Sequence, residues 1–303
     1  MSRAAQRIAV IGAGAMGLPI ARRLHEAGHD VIAVDPFEPQ RERIAALGMV
    51  AASHVDELPE RDVAVLMVVS AEQVDEVVAS AYMRGDRAPS HVIVMSTIGP
   101  DAVRATAGAL QSCGIAVIDC PVTGGIAGAE AGTLVQLVGA DRAALEAVRP
   151  LLERLGRIEH VGAVGDGQSM KLVNNHLACV NATAVAETIN FARALELPLD
   201  RVFEILRSGA AQSWMLESRF LRMAQPRDER ATDTVTAIIA KDSTLIREAA
   251  REAGAVIPLL DETWDVYRRA VEQGWAKEDD ACIADPPVAQ GRLAGGPASE
   301  PSP

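Results

Sequence analysis

In the stretch Gly165–Glu187, GDGQSMKLVNNHLACVNATAVAE, one lysine and two asparagines interrupt an apolar helical pattern. Lys171 is the single charged residue between Met170 and Ala186, and Asn174 and Asn175 follow it within a turn. Successive helical residues turn by about 100°, so the three share one face. That face continues as Ala178, Ala182 and Ala186, which makes the polar patch local. A lysine in a partly dry cleft gives up its proton more readily than one in water and can act as general acid or base near neutral pH. Asn175 can hydrogen-bond a substrate oxygen without adding charge. A snorkelling lysine at a helix start accounts for the same residue structurally, although a positive charge there opposes the helix dipole. Gly165 and Gly167 would let the chain turn closely past a ligand.

A second pattern, VIGAGAMG, closes one apolar strand and opens a helix. Gly12, Gly14 and Gly17 form GxGxxG, with Ala13, Ala15 and Met16 between them. Such glycines permit a tight turn, approach of backbone to a pyrophosphate, and close helix–strand packing. The helix N-terminus adds unpaired N–H groups for phosphate. The next strand ends at Asp35, eighteen residues after Gly17. An acidic residue there accepts hydrogen bonds from ribose hydroxyls and repels a 2′-phosphate, which favours NAD over NADP.

Further candidates stand at other strand ends, where open α/β sheets bind ligands. MVVS, with Val68 and Val69, ends one strand at Ser70 and could line the adenosine cleft or merely cap the next helix. MSTIGP places Thr97 near the nicotinamide ribose, and Ser/Thr leading into a helix with Pro in its first turn explains it equally well. In DCPVTGG, the Thr123 hydroxyl and the exposed N–H groups around Gly124 and Gly125 could hold a carboxylate, with a purely structural turn as the alternative. The IAGAEAGTL that follows is small and glycine-bearing, as in a close-packed loop. Lys241 and Asp242 follow an apolar run within a later helix, where a surface ion pair is the plain alternative. HEAGH (His25–His29) fits the zinc-protease signature, but Gly28 falls where the helix should end, which would put His29 in a turn. No metal site is expected.

Positioning these residues requires alternating elements. Continuous apolar runs at 7–12, 31–34, 62–69, 91–96, 115–119 and 133–139 read as strands covered on both faces. Helical stretches at 14–27, 71–79, 100–113 and 142–155 separate most of them, which implies a mostly parallel, doubly wound sheet. After about Val161 only helical patterns follow: 167–195, 200–208, 213–223, 234–253 and 258–273. The expected fold class is therefore α/β, a Rossmann-type unit over 1–165 followed by an all-helical domain over 166–283 that begins with the long helix. Residues 284–303 hold five of the sixteen prolines and read as a disordered tail.

Composition limits the partners. The net charge of −12 argues against nucleic acid. No apolar run is long enough to span a bilayer, the four cysteines lack CxxC spacing, and MSRAAQR enters a strand without a leader pattern. A cytoplasmic protein is expected.

Together these motifs resemble the β-hydroxyacid dehydrogenase family, over about Arg7 to Cys282. IGAGAMG…AGHDVIAVD is similar to its cofactor loop, DCPVTGG to its DAPVSGG, GDGQSMKLVNN to its GxGxxxKxxNN, and Lys241–Asp242 to its KDL. The resemblance implies an NAD-dependent oxidoreductase acting on a small 3-hydroxyacid such as 3-hydroxyisobutyrate, threonate or glycerate. It implies Lys171 as catalytic acid/base, Thr123, Gly124 and Gly125 on the substrate carboxylate, and Asn175 orienting the substrate. Lys241 would lie beside nicotinamide and substrate, with Thr97 and Met67–Val69 on the cofactor. It also implies a homodimer or homotetramer. Thr123 departs from the usual Ser, Cys120 from Ala and Ser243 from Leu, which blurs the substrate. AQSWMLESRF (211–220) looks most like threonate-type members. Imine reductases share the fold but generally lack this lysine. A nicotinamide-binding module without turnover is the remaining alternative.

Overall fold

Nine strands, all before residue 163, and twelve α-helices make up residues 5–285, the part of the chain that the computed structural model describes. The strands are β1 (Arg7–Ile11), β2 (Asp30–Val34), β3 (Val50–Ala52), β4 (Val63–Leu66), β5 (His91–Val94), β6 (Ala116–Asp119), β7 (Val122–Thr123), β8 (Leu134–Gly139) and β9 (Gly156–Gly162). The helices are α1 (Gly17–Glu26), α2 (Glu38–Ala46), α3 (Ala71–Ala79), α4 (Ala81–Arg84), α5 (Pro100–Gln111), α6 (Gly125–Ala131), α7 (Arg142–Leu152), α8 (Asp166–Ala194), α9 (Leu199–Leu206), α10 (Trp214–Ala224), α11 (Thr236–Glu252) and α12 (Pro258–Glu272). The chain divides into two compact units between Leu172 and Val173, inside α8 and seven residues beyond the expected Gly165.

In the first unit the strand order is β3-β2-β1-β4-β5-β6-β8-β7, with β9 beside β8. Pairing is parallel except where β8 meets β6 and β7. The apolar strand runs are explained by burial on both faces. Ile8, Val10, Val63, Val65 and Ile93 pack with α1, α2, α6 and α7 on one side. Ala9, Ile11, Ala64, Leu66, Val92 and Val94 pack with α3, α4 and α5 on the other. Because the chain leaves β1 toward β2 and returns to β4, the direction of winding reverses between β1 and β4. That switch point is where such sheets open a crevice at their carboxyl ends.

Two local expectations change. IAGAEAGTL is not a loop: its first part forms α6, which ends at Gly132 in the left-handed region (φ 69°). A helix tolerates Gly128 there because a Cβ would come 3.3 Å from Leu134 Cδ2. Three further strands, the short β3 and β7 and the seven-residue β9, also join the sheet.

The second unit is helical. Val185, Ile189, Phe203, Phe220, Met223, Tyr267 and Ile283 form its core. Buried Arg219 donates through Nε to Asp280 (2.9 Å) and through Nη1 to Asp233 (2.9 Å). The expected tail begins too early. Ala284 is buried, and Arg230 grips Asp285 through two bonds of 2.7 and 2.8 Å. The rest of that stretch, 286–303, lies outside the described residues. Among those described, no helix is long and apolar enough to cross a membrane.

Candidate active site

The glycine loop lies at the switch point. Gly12 N donates to Val34 O (2.9 Å) and Met67 N to Ile11 O (2.8 Å), so the ladder extends one residue past the strands and fixes the loop between β2 and β4. Gly12 has φ 88°, and a Cβ there would sit 2.5 Å from Met67 O. A Cβ on Gly17 would overlap the Gly12 carbonyl oxygen, since α1 starts directly against the turn. Gly14 differs: it is exposed, and a Cβ would meet nothing within 4 Å. The residues present therefore fit a dinucleotide. Two glycines shape the turn, and the third leaves open the space that a pyrophosphate would fill before the first N–H groups of α1.

Asp35 stands at the end of β2, where its Oδ1 accepts from Phe37 N (2.9 Å). Arg41 donates through Nη1 to the carbonyls of Asp35 (3.0 Å) and Pro36 (2.6 Å). Gln40 Nε2 donates to Ala13 O, tying α2 to the glycine loop. Val68 and Val69 leave β4 on the same edge, with Val69 N donating to Gln73 Oε1 (2.8 Å). Thr97 is half-buried between buried Ser96 and Ile98. The HEAGH stretch has no continuous helical face: α1 ends at Glu26, Gly28 turns the chain (φ 90°), and His29 Nδ1 accepts from Gln6 N.

Lys171 is half-buried on α8, and its Nζ donates to Val122 O (2.7 Å). This bond joins the helix to the strand that carries Thr123. Thr123 pairs with Val135 across β7 and β8. Gly124 (φ 122°) and Gly125 (φ 65°) then turn the chain into α6, with a conformation that a side chain would disfavour. The amine and the TGG loop are thus brought together within the first unit.

Gly165 and Gly167 do not serve close passage of a ligand, as their position suggested. A Cβ on Gly167 would lie 2.5 Å from Leu137 O and 2.8 Å from Asp119 Oδ2, and one on Gly165 would meet the Arg104 guanidinium, so they admit the protein's own groups. The sequence assigns no role to Asp119, the first residue of DCPVTGG, or to Gln168, yet both are fully buried here. Asp119 Oδ2 accepts from Gly165 N (2.9 Å) and Gln168 N (3.1 Å), an anion at a helix start. Burial pushes the Asp119 carboxyl up to about 6 even though these N–H donors pull it down.

In the second unit Asn174 Nδ2 donates to Asn175 Oδ1 (3.0 Å), and Asn175 Nδ2 donates to Asp242 Oδ2 (2.8 Å). Lys241 Nζ lies 2.9 Å from Asp242 Oδ1. Asn175 is therefore a bridge to Asp242, which is a buried carboxylate and not the surface ion-pair partner that its local sequence allows.

Residues 7–165 match the family model of the NAD binding domain of 6-phosphogluconate dehydrogenase. Residues 165–286 match the one described as NAD-binding of NADP-dependent 3-hydroxyisobutyrate dehydrogenase. The NAD-dependent L-serine dehydrogenase of Pseudomonas aeruginosa is 33% identical over 287 residues, spanning 90% of this chain and 95% of the relative. Among solved structures, 3-hydroxyisobutyrate dehydrogenase from Salmonella typhimurium is similar, with TM-score 0.85 and 26% identity over 92% of this chain and 99% of that one. The Mycobacterium tuberculosis 3-hydroxyisobutyrate dehydrogenase, solved with L-serine, gives TM-score 0.79 and 29% identity over 93% and 98%.

Proposed function

Because the chain belongs to the β-hydroxyacid dehydrogenase family, we propose that it interconverts a small 3-hydroxyacid and its aldehyde or keto form, with NAD as cofactor and Lys171 as general acid/base. The observation that carries this reading is the Lys171 Nζ bond to Val122 O, beside Thr123, Gly124 and Gly125. A carbonyl accepts a hydrogen bond from a neutral amine as well as from an ammonium. The amine therefore keeps its anchor on both sides of a proton transfer.

NAD supplies the hydride acceptor when bound. Gly12–Gly17, Val68, Val69 and Thr97 would hold it, with Asp35 on the adenosine ribose. The Thr123 hydroxyl and the N–H groups of Gly124 and Gly125 take the substrate carboxylate. Lys171 removes the proton of the substrate hydroxyl, and in reverse returns it to the carbonyl oxygen. Asn175 keeps a second amide N–H for a substrate oxygen, and Lys241 adds positive charge near an anion in a protein of net charge −12. The methyl of Thr123 narrows the carboxylate pocket.

The test is NADH formation with 3-hydroxyisobutyrate, glycerate, threonate, L-serine and phenylserine, each offered with NAD and with NADP. At least one hydroxyacid should turn over. KM for NAD should be lower than for NADP by about tenfold, or about 1.4 kcal/mol, because Asp35 repels a 2′-phosphate and Arg41 is engaged on backbone carbonyls. Silence across the panel would defeat the reading, and preference for NADP would defeat the role of Asp35.

The reading includes a homodimer or homotetramer and a cytoplasmic setting, in keeping with four unbridged cysteines. Val173, Leu177 and Phe191 on α8 and Leu195 one residue past its end are each more than half exposed, and at 100° per residue the three helical ones fall within about 40°. An exposed apolar stripe of this kind marks an interaction surface, and a second copy presents the same stripe to it. Light scattering should give a dimer or tetramer for the native chain and a smaller species for Leu177→Asp/Phe191→Asp. A native monomer would refute this part.

A further inference from the structure

Gln168 is hydrogen-bonded to capacity. Its Nε2 donates to Ser96 O (2.9 Å) and Asp119 Oδ1 (3.1 Å), and its Oε1 accepts from Ile98 N (3.0 Å) and Gly99 N (3.1 Å). A carboxamide has two donors and two acceptor sites, and all four are used. One side chain therefore joins the loop carrying Thr97, the end of β6 and the first turn of α8.

Gln168 and Lys171 are three residues apart on α8, and Asp119 and Val122 are three apart along the β6–β7 segment. Two rungs connect the pairs: Gln168 Nε2 to Asp119 Oδ1, and Lys171 Nζ to Val122 O. A single rung would let the first turn of the helix pivot, whereas two rungs fix its position and its rotation. Asp119 strengthens the first rung by also accepting the backbone N–H groups of Gly165 and Gln168. Gly167 gives it room. A fully buried carboxylate whose hydrogen-bond partners are neutral amides is a costly way to fill a core, and the two motifs that it links are those carrying Thr123 and Lys171.

We propose that Asp119 and Gln168 are positioning residues that hold the Lys171 amine against the Thr123–Gly125 loop and fix the Thr97 loop to the same helix turn. The proposal rests on the reading of Lys171 as acid/base. A displacement of about 1 Å at a reacting group can cost about a hundredfold in rate, so the pair acts on turnover without touching substrate.

The test uses Asp119→Asn, Gln168→Glu, Gln168→Met and the double variant Asp119→Asn/Gln168→Glu, with Lys171→Ala alongside. Asp119→Asn sets an amide donor against either Gln168 Nε2 or the N–H groups of Gly165 and Gln168, and Gln168→Glu sets one carboxylate against another. Each single variant should lose about 10- to 100-fold in kcat while hydroxyacid KM moves by less than about threefold. In the double variant the amide and the carboxylate exchange places, so between residues 119 and 168 a donor again meets an acceptor and the net charge is conserved, although Ser96 O still lacks the donor that Gln168 Nε2 supplied. Its kcat should recover by about tenfold over the weaker single variant, the non-additivity expected of groups in contact. NAD affinity and Tm are measured for each variant. Single variants with native kcat overturn the proposal, and so does a kcat loss that follows Tm without recovery in the double variant. If Asp119→Asn does not fold, Gln168→Glu and Gln168→Met decide in its place. Native turnover in Lys171→Ala fails the acid/base reading itself. An inactive Lys171→Ala beside fully active Asp119 and Gln168 variants fails only the positioning.

Discussion

Lys171→Ala is expected to retain the fold and NAD binding and to lose about 10²- to 10⁴-fold in kcat, the usual worth of a positioned acid or base. The side chain is half-buried and its bond to Val122 O is one neutral-acceptor bond. Its removal should therefore cost about 1–3 kcal/mol of stability. The glycine loop, Asp35 and the β4 end are built from other residues, so NAD affinity by calorimetry should stay within about twofold of native. Lys171→Arg should not restore turnover. A guanidinium remains charged at any working pH and cannot accept the hydroxyl proton, although it could still reach the carbonyl. Near-native kcat in either variant would remove the proton-transfer role. A loss of NAD affinity equal to the loss of kcat would make Lys171 a binding residue instead.

The parts of this site that were legible in the sequence share one property: their chemistry is carried by residue type at a fixed local spacing. GxGxxG, the acidic residue at the end of β2 and the lysine with following asparagines are all local. So were the buried strands, because burial on both faces demands an unbroken apolar run, as in Ile8–Ile11 and Val63–Leu66. The strands that escaped notice lack such a run. β3 and β7 are short, and β9 reads GRIEHVG with its residues exposed or half-buried. Nothing forces such a strand to be apolar.

Asp119 and Gln168 escaped for another reason. They meet across 49 residues of chain, and the pairing is not visible at either position. The signal was present in Gly165 and Gly167, but glycines report only that something comes close. Sequence suggested a ligand, and at Gly167 the structure puts a carboxylate and a carbonyl. Asn175 shows the converse. Its face on the helix was readable, but its partner Asp242 lies 67 residues away. Ala284 and Asp285 fall in a tail on composition, which cannot register that Arg230 waits for a carboxylate.

The glycine loop permits a sharper experiment, because its three glycines are spared a side chain for different reasons. At Gly12 an alanine would combine a φ of 88° with a Cβ 2.5 Å from Met67 O, and at Gly17 the Cβ would overlap the Gly12 carbonyl oxygen. Neither neighbour can yield, since both are backbone, Met67 held by Ile11 of β1 and Gly12 by Val34 of β2. Gly12→Ala and Gly17→Ala should each destabilise the first unit by several kcal/mol, about the cost of strain at such a site. Gly14 has no positive φ and no neighbour within 4 Å, so Gly14→Val should melt within about 2 °C of the native chain without ligand, the small shift of a surface change. With NAD the two should part. Saturating cofactor raises the native Tm by mass action. In Gly14→Val the isopropyl group fills the pyrophosphate space, the shift should vanish, and affinity should fall by about a hundredfold, or about 2.7 kcal/mol. A Gly14→Val protein that still gains Tm with NAD would show that the open space above Gly14 is not the phosphate cradle. A Gly17→Ala protein of native Tm would show that α1 can withdraw from the turn, and the separation of fold from cofactor binding among the three glycines would then collapse.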